Sequence, residues 1–170
     1  MLNRPARAGF TLLELVVVLV IVSVVVALVL PRLPAMQEAN LRTSARQTAA
    51  LLRYLDERSV ATKKNYRLRI DLDDQRLTVL RRSASGDDLT PADPYLQRNP
   101  IHEGIVISDL TTPTLGKLTS GQATISYGPG GLTEPLLLHL GLPGGNSYTL
   151  QALPVSATVR VVAGYREKLP

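Results

Sequence analysis

The sequence predicts an α+β fold in which a long N-terminal helix packs on an antiparallel β domain. Three observations predict it. Residues 10–30 contain 18 apolar residues out of 21, broken only by Thr11, Glu14 and Ser23. Residues 35–64 then repeat apolar side chains at helical spacing. From Tyr66 onward the period falls to two, in short runs punctuated by Gly, Pro, Asp and Ser.

Composition narrows the class. The 170 residues allow one ordinary domain with a short appendage, and 45% hydrophobic content is enough for a core. A wholly disordered chain, a polytopic membrane protein and a disulfide scaffold are excluded. With no cysteine, a thiolate nucleophile and Cys-containing zinc sites are excluded as well. Trp is absent and the single Phe lies in the apolar block, so Leu, Val and Ile must build the soluble core. The net charge of +5 is uneven: residues 32–82 hold twelve Lys or Arg against six Asp or Glu, whereas residues 83–170 hold five against seven. A basic excess beside an apolar block suits anionic headgroups or an acidic partner, while a nucleic-acid surface carries a denser patch.

A helix over residues 10–30 rises about 31 Å, enough to cross a hydrocarbon core. A secretory signal peptide fits poorly, because its apolar region is shorter and ends at a small-residue site, whereas this block exits into Leu30-Pro31-Arg32-Leu33-Pro34. Glu14 is the anomaly. A carboxylate among Leu and Val costs about 2–3 kcal/mol at mid-membrane, and no Lys or Arg lies in the block to pair with it.

Pro31 and Pro34 are expected to kink or loosen the helix, which resumes at Ala35. Leu41, Ala45, Thr48, Leu52 and Leu55 form its apolar stripe, with Arg42, Arg46, Arg53 and Glu57 on other faces and Lys63-Lys64-Asn65 at its end. Tyr66, Leu68, Ile70 and Leu72 alternate with Arg67, Arg69 and Asp71 as a half-buried strand; Asp73-Asp74-Gln75 turns, and residues 77–80 return. Residues 83–100 read as a surface excursion, 101–110 as a third strand and 111–122 as a loop. Strands over 123–127, 136–140, 148–153 and 158–162 follow, separated by Gly128-Pro129-Gly130-Gly131 and a turn over 141–146. Many short strands after one helix imply antiparallel sheet, with two packed sheets one arrangement of it.

Two stretches carry a family resemblance. Ala8-Gly9-Phe10-Thr11-Leu12-Leu13-Glu14, behind a short leader with Arg4 and Arg7, resembles the cleavage motif of type IV pilin-like proteins. The resemblance implies that a prepilin peptidase cuts between Gly9 and Phe10 and that Phe10 is then N-methylated. It implies that Glu14 serves filament assembly by meeting the N-terminal ammonium of a neighbouring subunit, and that Pro31 is the proline that kinks the helix. The later pattern Ile125-Ser126-Tyr127-Gly128-Pro129-Gly130-Gly131, with Thr158-Val159-Arg160-Val161-Val162, resembles the GspH/FimT group of minor pseudopilins (general secretion pathway protein H). The last forty residues hold only Glu134 and Glu167 as acids, which poorly supports the late calcium loop of the major pseudopilin.

Nothing else in the sequence marks catalysis. His102-Glu103 and His139 have no nucleophile at useful spacing. The Gly-rich stretches lack a following helix or a Gly-Lys-Ser/Thr, so they read as turns and not as phosphate cradles. Asp71, Asp73 and Asp74 read as a hairpin turn. The expectation is a non-enzymatic protein with no catalytic residues, metal or cofactor.

By this resemblance residues 1–9 are a prepilin leader, 10–30 a transmembrane and assembly helix, 31–64 its amphipathic half and 65–170 a periplasmic β-rich domain of pilin-like fold. The implied function is that of a minor pseudopilin in the type II secretion pseudopilus, at its tip, supporting export of folded proteins across the outer membrane. Its implied partners are other major and minor pseudopilins, the prepilin peptidase, the bacterial inner membrane, and secreted cargo or the outer-membrane channel. DNA is not an expected partner. The alternative is a type IV pilus or DNA-uptake minor pilin of the FimT/FimU type, with Arg160, Arg166 and Lys168 as the basic tail that takes up DNA.

Overall fold

The computed structural model describes residues 11–29, 33–154 and 158–167. It divides into two compact units, Met1–Met36 and Gln37–Pro170. Two α-helices, α1 (Leu12–Val29) and α2 (Leu33–Thr62), precede ten described strands. These are β1 (Tyr66–Asp71), β2 (Arg76–Arg82), β3 (Asp88–Leu89), β4 (Val106–Thr112), β5 (Gly116–Leu118), β6 (Gln122–Gly128), β7 (Gly131–Leu132), β8 (Leu136–Gly141), β9 (Ser147–Leu153) and β10 (Thr158–Ala163).

In α1, Thr11 opens the helix: its hydroxyl accepts the Glu14 amide and its carbonyl the Leu15 amide, both at 3.2 Å. Among the described residues, no helix is long and apolar enough to cross a membrane. The 18 described residues of α1 rise only about 27 Å, against a hydrocarbon core of about 30 Å. Phe10 and Leu30, the ends of the longer apolar block, lie outside the described residues.

Helix α2 starts two residues before the expected Ala35. Pro34 falls in its first turn, where an N–H has no intrahelical partner in any case, so this proline is absorbed and does not break the helix. The helix ends at Thr62 because Lys63 takes a left-handed φ of +54° and turns the chain. The stripe of Leu41, Ala45, Thr48, Leu52 and Leu55 is buried, and Arg42, Arg46, Arg53 and Glu57 are exposed.

The strands form two five-stranded antiparallel sheets, ordered β3-β2-β1-β6-β7 and β10-β9-β8-β4-β5. Alternation sorts each strand onto two faces. Leu68 pairs with Val79 and Ile125, and Leu138 with Leu110 and Leu150, all pointing into one core shared with the α2 stripe. Gln75, at a left-handed φ of +52°, joins the sheets: its side-chain amide donates to the Leu72 carbonyl, and its oxygen accepts from the Ile107 amide. Arg53 reaches from α2 to the Val159 carbonyl on the edge strand β10, at 2.7 Å. The α+β class, with α2 packed on antiparallel sheet, is therefore the observed architecture.

Three local readings change. Residues 83–100 are not a plain excursion, because they contain β3 and a 3₁₀ turn (Pro94–Gln97) whose Leu96 is 2% exposed and plugs the core. The third strand begins at Val106, since Ile101 and Ile105 are buried from a loop and not from a pleat. The expected loop over 111–122 contains β5.

Leu55 has no exposed surface, so Leu55→Ala should lower the unfolding free energy by about 2–5 kcal/mol, read by urea denaturation. A second prediction concerns acid. The Tyr54 hydroxyl donates to Asp93 at 2.5 Å, and the Tyr95 amide donates to the same carboxylate at 3.0 Å. The Tyr54 bond first, then the Tyr95 amide, holds the Asp93 carboxyl below its ordinary range, while Asp93 raises the Tyr54 phenol. A lowered carboxyl adds stability above its unfolded value and loses it as pH falls through the folded one. Wild type should therefore exceed Tyr54→Phe in stability at neutral pH, with the gap closing below about pH 4 in urea melts across pH.

Candidate functional site

Of the four residues the N-terminal motif marks, Gly9, Phe10 and Pro31 lie outside the described residues. Glu14 lies in the first turn of α1, exposed. Thr11-Leu12-Leu13-Glu14 has the spacing of a capping box, and its first half forms in the bond from the Glu14 amide to the Thr11 hydroxyl. This local role was legible in the sequence and adds to the assembly reading. A carboxylate here also faces the positive end of the helix dipole. Among the described residues no cation makes an ion pair with it. The rest of α1 shows Leu, Val and Ile on every face, with side chains from Leu15 to Val26 about half exposed (46–57%). A helix apolar all round is matched to lipid or to other helices, not to water.

The C-terminal motif has a structural reason. Tyr127 on β6 is 1% exposed, and burial, with the nearby Asp56 charge adding, pushes its hydroxyl pKa far up. The following Gly-Pro-Gly-Gly makes the β6–β7 turn, which docks on the end of α2. Asp56 accepts the Leu132 amide at 2.7 Å, and Lys63 donates to the Pro129 carbonyl at 3.3 Å. Gly131 has φ +95°, and a Cβ there would meet an Asp56 oxygen at 2.5 Å. Only glycine fits this approach.

Both histidines are tied. The Ser44 hydroxyl on α2 accepts the His102 amide at 3.0 Å and lies 2.9 Å from its Nδ1. Ser44 has no exposed surface, so this Ser–His pair pins a loop and offers no nucleophile to solvent. His139 lies 2.6 Å from Asp109 and 3.0 Å from the Arg166 carbonyl, so both ring nitrogens face acceptors. The three turn aspartates are engaged in part. Asp71 accepts the Asp73 and Asp74 amides at 3.1 and 2.8 Å, and the Asp74 bond foremost holds its carboxyl below the ordinary range. Asp73 accepts the Gly121 amide at 3.1 Å. Among the described residues no three His, Cys, Asp or Glu side chains converge as a metal site. Of the basic tail, Arg160 lies on β10 and Arg166 just beyond it; Lys168 lies outside the described residues.

The family model for the prokaryotic N-terminal methylation motif matches residues 4–30. The chain is 35% identical over 79 residues to the type II secretion system protein H of Vibrio cholerae serotype O1, a match covering 46% of this chain and 41% of that protein. It thus spans under half the length of this curated relative. The fold is also similar to two solved structures of the minor pseudopilin EpsH from the type II secretion system of Vibrio cholerae. One aligns with TM-score 0.56 at 22% identity over 73% of this chain and 97% of that one. The other aligns with TM-score 0.61 at 18% identity over 76% and 98%. The fold is therefore pilin-like, of the EpsH kind, and the GspH-type resemblance read from the two motifs is borne out.

The Asp56–Gly131 contact gives a prediction. Gly131→Ala should cost about 1–2 kcal/mol for the left-handed backbone, plus the displacement of Asp56. Asp56→Ala should cost about 1–3 kcal/mol by stranding the Leu132 amide. The double variant should lose less than the sum, because the clash disappears with the carboxylate; urea denaturation of all four proteins measures the coupling.

Proposed function

We propose that the chain is a minor pseudopilin, a non-enzymatic structural subunit of a type II secretion pseudopilus that supports export of folded proteins across the outer membrane. The observation that carries the reading is the joining, in one chain, of an N-terminal methylation motif at residues 4–30 to a globular fold of the EpsH kind. In this reading residues 10–30 anchor the precursor in the bacterial inner membrane, with the N-terminus cytoplasmic and the β domain periplasmic. The prepilin peptidase removes residues 1–9 by cutting between Gly9 and Phe10 and methylates Phe10, and Pro31 bends the helix beyond the block. The subunit then takes its place at the tip, against other pseudopilins and in reach of cargo or the outer-membrane channel.

The chemistry of assembly follows from desolvation. Cleavage at Gly9 creates an ammonium on Phe10, four residues before Glu14. In an apolar filament core an isolated carboxylate or ammonium is costly, whereas the two facing each other across subunits offset most of that cost. Any axial offset that leaves Glu14 unpaired is therefore penalised, and the pair selects the stagger between neighbours. The pinned Ser44–His102 pair supports the non-enzymatic reading, since its hydroxyl is buried and holds a loop.

Mass spectrometry of the protein from cells containing a prepilin peptidase should find a chain beginning at methylated Phe10; an intact leader would overturn the proposal. Glu14→Ala should still be processed, yet cross-linking into pseudopili should fall about tenfold or more, the factor that ~1.4 kcal/mol at docking gives. Salt-sensitive DNA binding that disappears on neutralising Arg160 and Arg166 would favour the DNA-uptake pilin instead.

A further inference from the structure

The outer face of the second sheet carries a buried histidine that packing alone does not explain. His139 lies on β8, on the opposite face from Leu138 and Leu140, yet is only 1% exposed. Residues 164–167 run over it. The Tyr165 ring stacks on the imidazole at 4.0 Å between centroids. Thr149 on β9 donates to the Gly164 carbonyl at 2.7 Å and accepts the Arg166 amide at 2.9 Å.

The two ring nitrogens meet two acceptors. Nδ1 lies 2.6 Å from an Asp109 carboxylate oxygen and Nε2 3.0 Å from the Arg166 carbonyl. A neutral imidazole donates from one nitrogen and accepts at the other, so it satisfies one of these contacts and opposes lone pairs at the other. Both close only when the Asp109–His139 pair holds one further proton. When that proton leaves, the remaining N–H goes to the charged acceptor, Asp109, because that bond is the stronger. The Nε2 lone pair then faces the Arg166 carbonyl, and the segment keeps only its bonds to Ser147, Thr149 and Lys117.

We propose that His139 is a proton-operated latch for residues 164–167: protonated, it clasps the segment across the outer face of the sheet, and neutral, it gives up that clasp and loosens the segment. The charged and titratable groups around it come from three elements. Asp109 projects from β4. Lys117 from β5 lies 3.9 Å from Asp109 and donates to the Tyr165 hydroxyl at 2.6 Å. The segment itself brings Tyr165 and Glu167, whose charge acts on Lys117. Lys117 keeps its charge across the neutral range, since the Tyr165 bond first and Asp109 second raise its pKa.

The test uses the full chain in detergent micelles, since residues 37–170 hold every buried apolar side chain among the described residues and the apolar N-terminal helix needs cover. Amide NMR of residues 164–167 and ring-nitrogen shifts of His139 are followed from about pH 5 to about pH 9. The expected result is an ordered segment at low pH that loosens with the midpoint of His139 titration, protection of the Arg166 amide falling about tenfold or more. Asp109→Asn supplies an amide donor to Nδ1, which lets a neutral ring keep its Nε2–H on Arg166, so that variant should hold the segment throughout the range. His139→Phe keeps the stacking but removes the donor, and should leave the segment loose at every pH. A segment that stays ordered while His139 titrates, or an Asp109→Asn protein that responds like wild type, would overturn the latch.

Discussion

The globular unit depends on the burial of one face of α2. Leu41, Ala45, Ala49, Leu52 and Leu55 enter a core to which both sheets contribute, and neither sheet has another helix to cover its inner face among the described residues. Fully burying a leucine is worth about 1.5–3 kcal/mol, so three of them outweigh any single polar contact in the domain. The small residues in the stripe matter as much as the large ones. Ala45 and Ala49, each at most 1% exposed, let the sheets approach the helix closely.

Around that core the polar contacts set directions. Asp56 and Lys63 hold the Gly-Pro turn, Ser44 holds the loop at His102, and Arg53 reaches the outermost strand of the second sheet. All four side chains come from α2 or the residue after it. The helix therefore serves both as the hydrophobic partner of the sheets and as the frame that orients their connections. The exposed Arg42 and Arg46 lie outside this work and account for part of the basic excess beside the apolar block.

How much of this was legible in the sequence depended on whether the signal was periodic or long-range. The α2 stripe and the strands from Tyr66, Gln122, Leu136 and Ser147 repeat at fixed spacing, and period alone locates them. Residues 83–100 were misread because Leu96 reaches the core from a single turn of 3₁₀ helix, which is too short to show a period. Ile101 and Ile105, buried from the loop before β4, carry no period for the same reason. Glu14 stood out because a charge in an apolar run is anomalous without knowing its neighbours. His139 did not stand out, since its meaning depends on Asp109 thirty residues earlier and on Arg166 twenty-seven later, contacts that carry no local spacing.

The strand order has a consequence for the timing of folding. Strand β1 pairs with β6, whose partner residues lie 51 to 61 positions later, and the chain crosses between sheets three times, with β1–β3 in one, β4–β5 in the other, β6–β7 back in the first and β8–β10 back in the second. The core that buries α2 is not complete until Val159 on the last strand is in place. Such distant pairings form slowly, since loop closure must precede the contacts that reward it. A ribosome delivers α2 first and its covering strands last, so the apolar stripe waits, uncovered, for most of the chain to be made.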